Sequence, residues 1–145
     1  MRIINLILIA LIVTMGPAAR AFADGYVVIC NAKSKVSQLP KADVKSLFLG
    51  KAKTLGGDAA VVVVRAEDDG VFGAFSDGLF GVSAKTLLSK IKQEVFKGEM
   101  AKPIKAGSDD DVVKAVAGSP GTIGVVSPAA SKSLPAGVIA VSVGG

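Results

Sequence analysis

The apolar positions of this chain change period several times along its length, and each change marks an element. Residues 26–30 (YVVIC) form a continuous apolar run of strand length, and residues 31–38 are polar and turn-like. Pro40 then opens a helix at a position where its missing N–H costs nothing. Val44, Leu47 and Phe48 fall at i, i+3 and i+4, one apolar face, and Gly50 stops the pattern. A polar loop over 51–59 carries Gly56 and Gly57. Residues 61–64 are four consecutive valines, the mark of a strand buried on both faces in a parallel sheet covered by helices. Helical spacing returns with Phe72, Phe75 and Leu79. Ser83 caps a further helix whose inner stripe is Ala84, Leu88, Ile91 and Val95, with Lys85, Lys90 and Lys92 on its wet face. Gly98 ends it, and residues 103–106 read as a short strand.

Ser108 caps the next helix, with Asp109, Asp110 and Asp111 favoured by the positive end of its dipole. Val112, Val113 and Val116 face inward, and Gly118 closes the helix. A calcium loop is the sharper reading of those acids, but the alternating ligand pattern with a distal Glu is missing. Strands over 123–126 and 138–143 complete the order β-α-β-α-α-β-α-β-β. Such alternation predicts an α/β layer architecture, a mostly parallel sheet with helices on both faces.

The first residues change the picture of location. Arg2 gives a positive start, residues 3–15 are almost wholly apolar, and Ala21-Phe22-Ala23 is an A-x-A cleavage pattern. This predicts a secretory signal peptide over 1–23, cut after Ala23, and a periplasmic or secreted product over 24–145. The apolar run falls short of the roughly 20 residues that a membrane span needs. Losing Arg2 and Arg20 with the leader lowers the formal charge from +5 to +3. The remaining lysines are scattered, without interleaved aromatics, so nucleic acid is not an expected partner. Lys33/Lys35 and Lys51/Lys53 are exposed pairs that attract an anionic partner only weakly.

Cys30 is the single cysteine and lies inside an apolar run, where a buried small hydrophobe is the expected role. No intrachain disulfide is possible. The chain has no histidine, which removes the commonest general base and the commonest zinc ligand. No nucleophile–base pair, metal cluster or phosphate-loop signature stands in the sequence, so no enzyme activity and no cofactor are expected. Gly118-Ser119-Pro120-Gly121 and Gly124 lack the Gly-Lys-Ser/Thr that a phosphate loop requires and read as turn glycines. Ser34 and Ser127 follow strands and can line the same sheet edge as the turn after Val64, but solvated or turn serines are the default.

The stretch VVVVRAEDDGVFGAF (61–75) carries the candidate site. Ligands of open α/β sheets sit beyond the carboxyl ends of the strands, and the turn after Val64 is such a place. A helix start there offers free N–H groups and partial positive charge, and Arg65 adds a bidentate grip on phosphate or carboxylate. The local charge works against an anion, because Glu67, Asp68 and Asp69 face the single Arg65. A like-charge contact at about 4 Å costs about 4 kcal/mol at an effective dielectric near 20. The competing structural reading is that Asp69 or Asp68 caps the helix carrying Phe72 and Phe75, and that Arg65 pairs with a neighbouring acid. On charge alone, a cation, an amine or a zwitterion suits this turn as well as phosphate does.

Three segments carry a family resemblance. VSQLPKADVKSLFLGK (36–51) is similar to the loop and helix ending in a Phe-x-Gly-Lys turn of phosphate ABC transporter substrate-binding proteins. VVVVRAEDDGVFGAF resembles their following strand, Arg, Gly-rich turn and helix. KAGSDDDVVKAVAGSPGTIGVVS (105–127) is similar to their late helix and Gly-x-Ile-Gly strand. The resemblance implies a type 2 periplasmic-binding-protein fold, of which a chain this short supplies a single lobe plus a crossing segment. It implies a non-enzymatic solute-binding domain and a small anion such as phosphate as ligand. The alternative is a non-binding interaction domain that docks to an envelope protein. Carried over by position, the implied ligand site is Arg65, Asp68, Asp69, Gly70 and Val71. Asp69 stands where the family has a Ser and Val71 where it has a Thr, so both hydroxyl donors are missing.

Overall fold

The computed structural model describes residues 25–144. The predicted leader over 1–23 lies outside them. Eight strands and four α-helices follow one another: β1 Val27–Asn31, β2 Gln38–Pro40, α1 Lys41–Phe48, β3 Thr54–Leu55, β4 Asp58–Ala59, β5 Val61–Val64, α2 Gly70–Phe75, α3 Ala84–Phe96, β6 Ile104–Lys105, α4 Asp109–Ala117, β7 Thr122–Val126 and β8 Val138–Gly144. A π-helical turn, Ser76–Phe80, extends α2, and 3-10 turns follow β1 and precede β8.

Six strands make the main sheet in the order β2-β8-β1-β7-β5-β6. The β7–β5, β5–β6 and β2–β8 pairs are parallel, and β1 runs antiparallel to both β7 and β8. The α/β class and the mostly parallel sheet expected from the pattern are therefore present. The separate β3–β4 hairpin sits within the predicted 51–59 loop and buries Leu55.

Alternation within the strands divides the interior in two. Val28, Cys30, Val62, Val64, Ile123 and Val125 point to one face, where α1, α2 and α3 cover them. Val27, Ile29, Val63 and Val126 point to the other, where Val112 and Val116 of α4 close a smaller core. Helices thus cover both faces, as the four consecutive valines of β5 require. Phe75 is the hub of the larger core. Its ring lies 4.8 Å from that of Phe48, 5.4 Å from Tyr26, 5.8 Å from Phe72 and 5.6 Å from Phe80. Among the described residues no helix is long and apolar enough to cross a membrane.

Several local expectations change. Pro40 is the last residue of β2 and stands at the N-cap of α1, one position before the first helical turn. The 31–38 segment is less solvated than its polarity suggests. Asn31 is buried, and its Nδ2 donates to the carbonyls of Val116 and Ala117 at the end of α4 (2.8 and 3.2 Å). Ser34 is buried and accepts from the Gly121 N–H at 3.0 Å. In α3, Leu87 is fully buried and Leu88 only half-buried, so the core stripe runs through Ala84, Leu87 and Ile91. Gly124 is a strand residue. A Cβ there would lie 2.8 Å from Val112 Cγ1 and 3.1 Å from Val63 Cβ, so the missing side chain is what lets α4 seat on the sheet. Cys30 is buried as expected. Its thiol donates to the Val36 carbonyl at 3.3 Å, and burial pushes its pKa up.

Candidate functional site

The site lies at the carboxyl ends of β5 and β7, neighbours in the parallel part of the sheet. β5 ends at Val64 and delivers Arg65 directly beyond the sheet edge. The side chain is only 6% exposed, so its charge needs partners. Two carboxylates supply them. Asp69 Oδ2 lies 3.0 Å from Nη2, and Asp109 Oδ1 lies 2.8 Å from Nη1. Nη1 also donates to the Val125 carbonyl at 3.1 Å. Nε is buried and has no hydrogen-bond partner among the described residues.

Each carboxylate belongs to a helix start on a different face of the sheet. Asp69 is the N-cap of α2, on the larger-core side, and its Oδ1 accepts from the Phe72 N–H at 2.9 Å. Asp is a favoured cap because its oxygen satisfies one of the free N–H groups of the first turn. Asp109 is the first residue of α4, on the smaller-core side. Its Oδ1 accepts from the Ser127 N–H at 3.0 Å and its Oδ2 from the Ser127 hydroxyl at 2.7 Å. That hydroxyl in turn accepts from the Ala130 N–H at 3.2 Å. Burial alone would raise the Asp109 pKa. The hydrogen bonds from Arg65 and Ser127 outweigh it and hold the carboxyl below its ordinary range.

The predicted residues separate into three groups. Arg65 and Asp69 come together, in the capping and pairing arrangement weighed above against a ligand grip. Gly70 is the first residue of α2, and Val71 is half-buried against the larger core, an apolar place that suits Val better than Thr. Asp68 is exposed in the turn and touches none of the network. Asp109, read only as a helix-start acid, and Ser127, weighed for the same sheet edge but taken as a turn serine by default, are the members outside the predicted site. Their signal was present but distant: an acid at a helix start and a serine directly after a strand, both at the carboxyl edge where β5 ends. Asp110 and Asp111 stay outside the network. Ser108 caps α4 as predicted, accepting from the Asp111 N–H at 3.2 Å, and Asp111 accepts from the Gly107 N–H at 3.4 Å.

This arrangement is a cation held by two anions, with both helix starts already served by protein oxygens. Among the described residues, the first N–H groups of α2 and the Arg65 fork, the donors that an anion would use, are engaged by carboxylates of the chain itself.

Comparison with known proteins bears on the fold. No protein-family model and no curated protein sequence matches the chain. Solved structures do. An ABC-type phosphate transport receptor from Vibrio cholerae superposes with a TM-score of 0.59 at 17% identity, over 83% of this chain and 46% of its own. A putative phosphate ABC transporter substrate-binding protein with bound phosphate, from Clostridium perfringens, gives 0.58 at 20% identity, over 83% and 45%. PstS from Borrelia burgdorferi gives 0.57 at 19%, over 83% and 47%. This chain shares the fold of phosphate ABC transporter substrate-binding proteins. It spans less than half the length of each of these three, in keeping with the single lobe expected from the resemblance.

Proposed function

We propose that this chain is an exported, non-enzymatic domain of the solute-binding-protein class, with a signal peptide over 1–23 and one binding-protein-like lobe over 24–145. Its inherited anion position is filled from within. The observation that carries this reading is the clamp on Arg65, with Asp69 at 3.0 Å and Asp109 at 2.8 Å. A phosphate arriving here would have to displace a carboxylate that is itself hydrogen-bonded, and would meet a second negative charge. Phosphate, the ligand of the Clostridium relative, is thus the first ligand to test and is expected to bind this chain weakly or not at all. Calorimetric titration of residues 24–145 with inorganic phosphate near neutral pH decides it. No heat up to millimolar phosphate supports a self-occupied site, and saturable micromolar binding overturns it.

A second reading rests on a different residue. Phe96, at the end of α3, is 92% exposed, unusual for so large an apolar side chain. It favours an interaction domain that docks to another protein of the cell envelope. Replacing Phe96 with Ser should then abolish association with that protein while leaving stability within about 0.5 kcal/mol of the parent. Retained association would remove this reading.

A further inference from the structure

The stripe of α3 does not end where the core ends. Leu88, Ile91 and Val95 continue toward the β6 edge, and Leu88 and Val95 are only half-buried. Between them and Pro103 lies a groove of about 610 Å³ that reaches along β6 to Val64 and Arg65. Its size is that of a small-molecule site, for which roughly 300–1,000 Å³ is usual. Its walls are mainly apolar, yet Lys92, Lys102 and Lys105 all line it and no acid does. None of the three lysines makes an ion pair among the described residues, where Lys97–Glu94 is the only lysine pair. At the inner end stands Arg65, whose Nε is buried without an acceptor among the described residues.

We propose that this groove is a second binding site, which ends at Arg65 but draws its charge from three lysines outside the clamp, for a small amphipathic anion: an alkyl chain bearing one carboxylate. The apolar wall of α3 and Pro103 takes the chain, each CH₂ of which gains by leaving water. The lysines take the carboxylate as mobile point charges that need no fixed geometry. A free inorganic anion uses only the lysines, and a neutral apolar molecule uses only the wall. The concave shape favours a small molecule over a flat protein face. The proposal does not depend on the state of the Arg65 clamp, since Lys92, Lys102 and Lys105 stand outside that network.

The test is calorimetric titration of residues 24–145 with sodium decanoate below its micelle concentration, beside acetate, 1-decanol and phosphate. The expected result is saturable one-to-one binding of decanoate, with acetate and phosphate giving no heat and decanol binding more weakly. Lys92→Glu with Lys105→Glu should weaken decanoate about tenfold or more, the combined loss of two partly exposed charge contacts and their replacement by repulsion. Val95→Asp should do the same from the apolar side. Both sets of changes are at incompletely buried positions, and an unchanged circular dichroism spectrum verifies the fold. No saturation by decanoate overturns the proposal, as does equal binding of acetate, or decanoate affinity that ignores all three substitutions. Binding to vesicles of anionic lipid without binding to decanoate overturns it in favour of a membrane surface. A positive phosphate titration with negative decanoate would sink this site and the self-occupied clamp separately.

Discussion

Arg65 is a buried guanidinium whose neighbours were chosen for charge, and removing it should show this directly. Arg65→Ala leaves Asp69 and Asp109 facing each other with their common cation gone. Breaking a buried pair by deleting one partner costs about 3–5 kcal/mol, and urea unfolding should register a loss of that size. Arg65→Lys should recover only part of it, because one ammonium cannot reproduce a fork that reaches two carboxylates and the Val125 carbonyl. A loss below about 1 kcal/mol for Arg65→Ala would mean that the clamp is ornamental and the side chain free for a ligand. Asp109 adds a pH signature. Its folded pKa lies below the value of about 3.9 that it has in an unfolded chain. Such a group stabilises the fold fully above its unfolded pKa, and the contribution is lost as pH falls through the folded one. Stability should therefore drop below about pH 4, and Asp109→Asn should flatten that part of the profile. A profile unchanged by the substitution would place the acid sensitivity elsewhere.

At the scale of elements, α4 and the sheet meet in a tight seam at Gly124. Gly124→Ala places a Cβ 2.8 Å from Val112 Cγ1, so helix and sheet must part. Overpacking of this kind costs about 1–3 kcal/mol. Val112→Ala opens the same space, so the double variant should lose less stability than the two single losses together, measured as a coupling in denaturant unfolding. Strict additivity would show that the two residues do not compete for room. This seam also shows what was legible in the sequence. The helices, the strand of four valines and the caps at Ser83 and Ser108 could all be read, because period and capping chemistry are local. The role of Gly124 could not, because a turn glycine and a packing glycine look alike until the helix opposite is placed. Leu87 and Leu88 are adjacent leucines, and only the approach direction of the sheet decides which is buried. The antiparallel sense of β1, and β2 itself, likewise depend on strand partners distant in sequence. The candidate site divided in the same way. Arg65 and Asp69 are four residues apart and were found together. Asp109 and Ser127 meet Arg65 only once β5 and β7 are paired.

For the whole molecule, the clamp matters because it joins the two faces of the sheet. Asp69 begins the helix over the larger core, and Asp109 begins the helix over the smaller one. One guanidinium thus holds two helix starts in register, and on the proposed reading the same three groups fill an oxyanion position. The proposed function then gives stability and the absence of phosphate binding one physical origin, so engineering one should expose the other. Asp69→Ser keeps a hydroxyl cap on α2 and removes one charge. Asp109→Asn keeps the shape that meets Ser127 and removes the second. Val71→Thr is the less useful change, since Val71 packs against the larger core. The Asp69→Ser, Asp109→Asn double variant should be less stable than the parent by a few kcal/mol, because Arg65 is left buried and unpaired. It should then respond to phosphate where the parent does not. Phosphate at about 100 times its dissociation constant returns about 2.7 kcal/mol, seen as a melting temperature that climbs with phosphate concentration. Sulfate, a fixed dianion of similar size, separates charge from specificity, and a response to both would still place an oxyanion at Arg65. A double variant that folds, melts early and ignores both anions would show that the carboxylates did not take over an anion site. The clamp would then be a structural device that only resembles one.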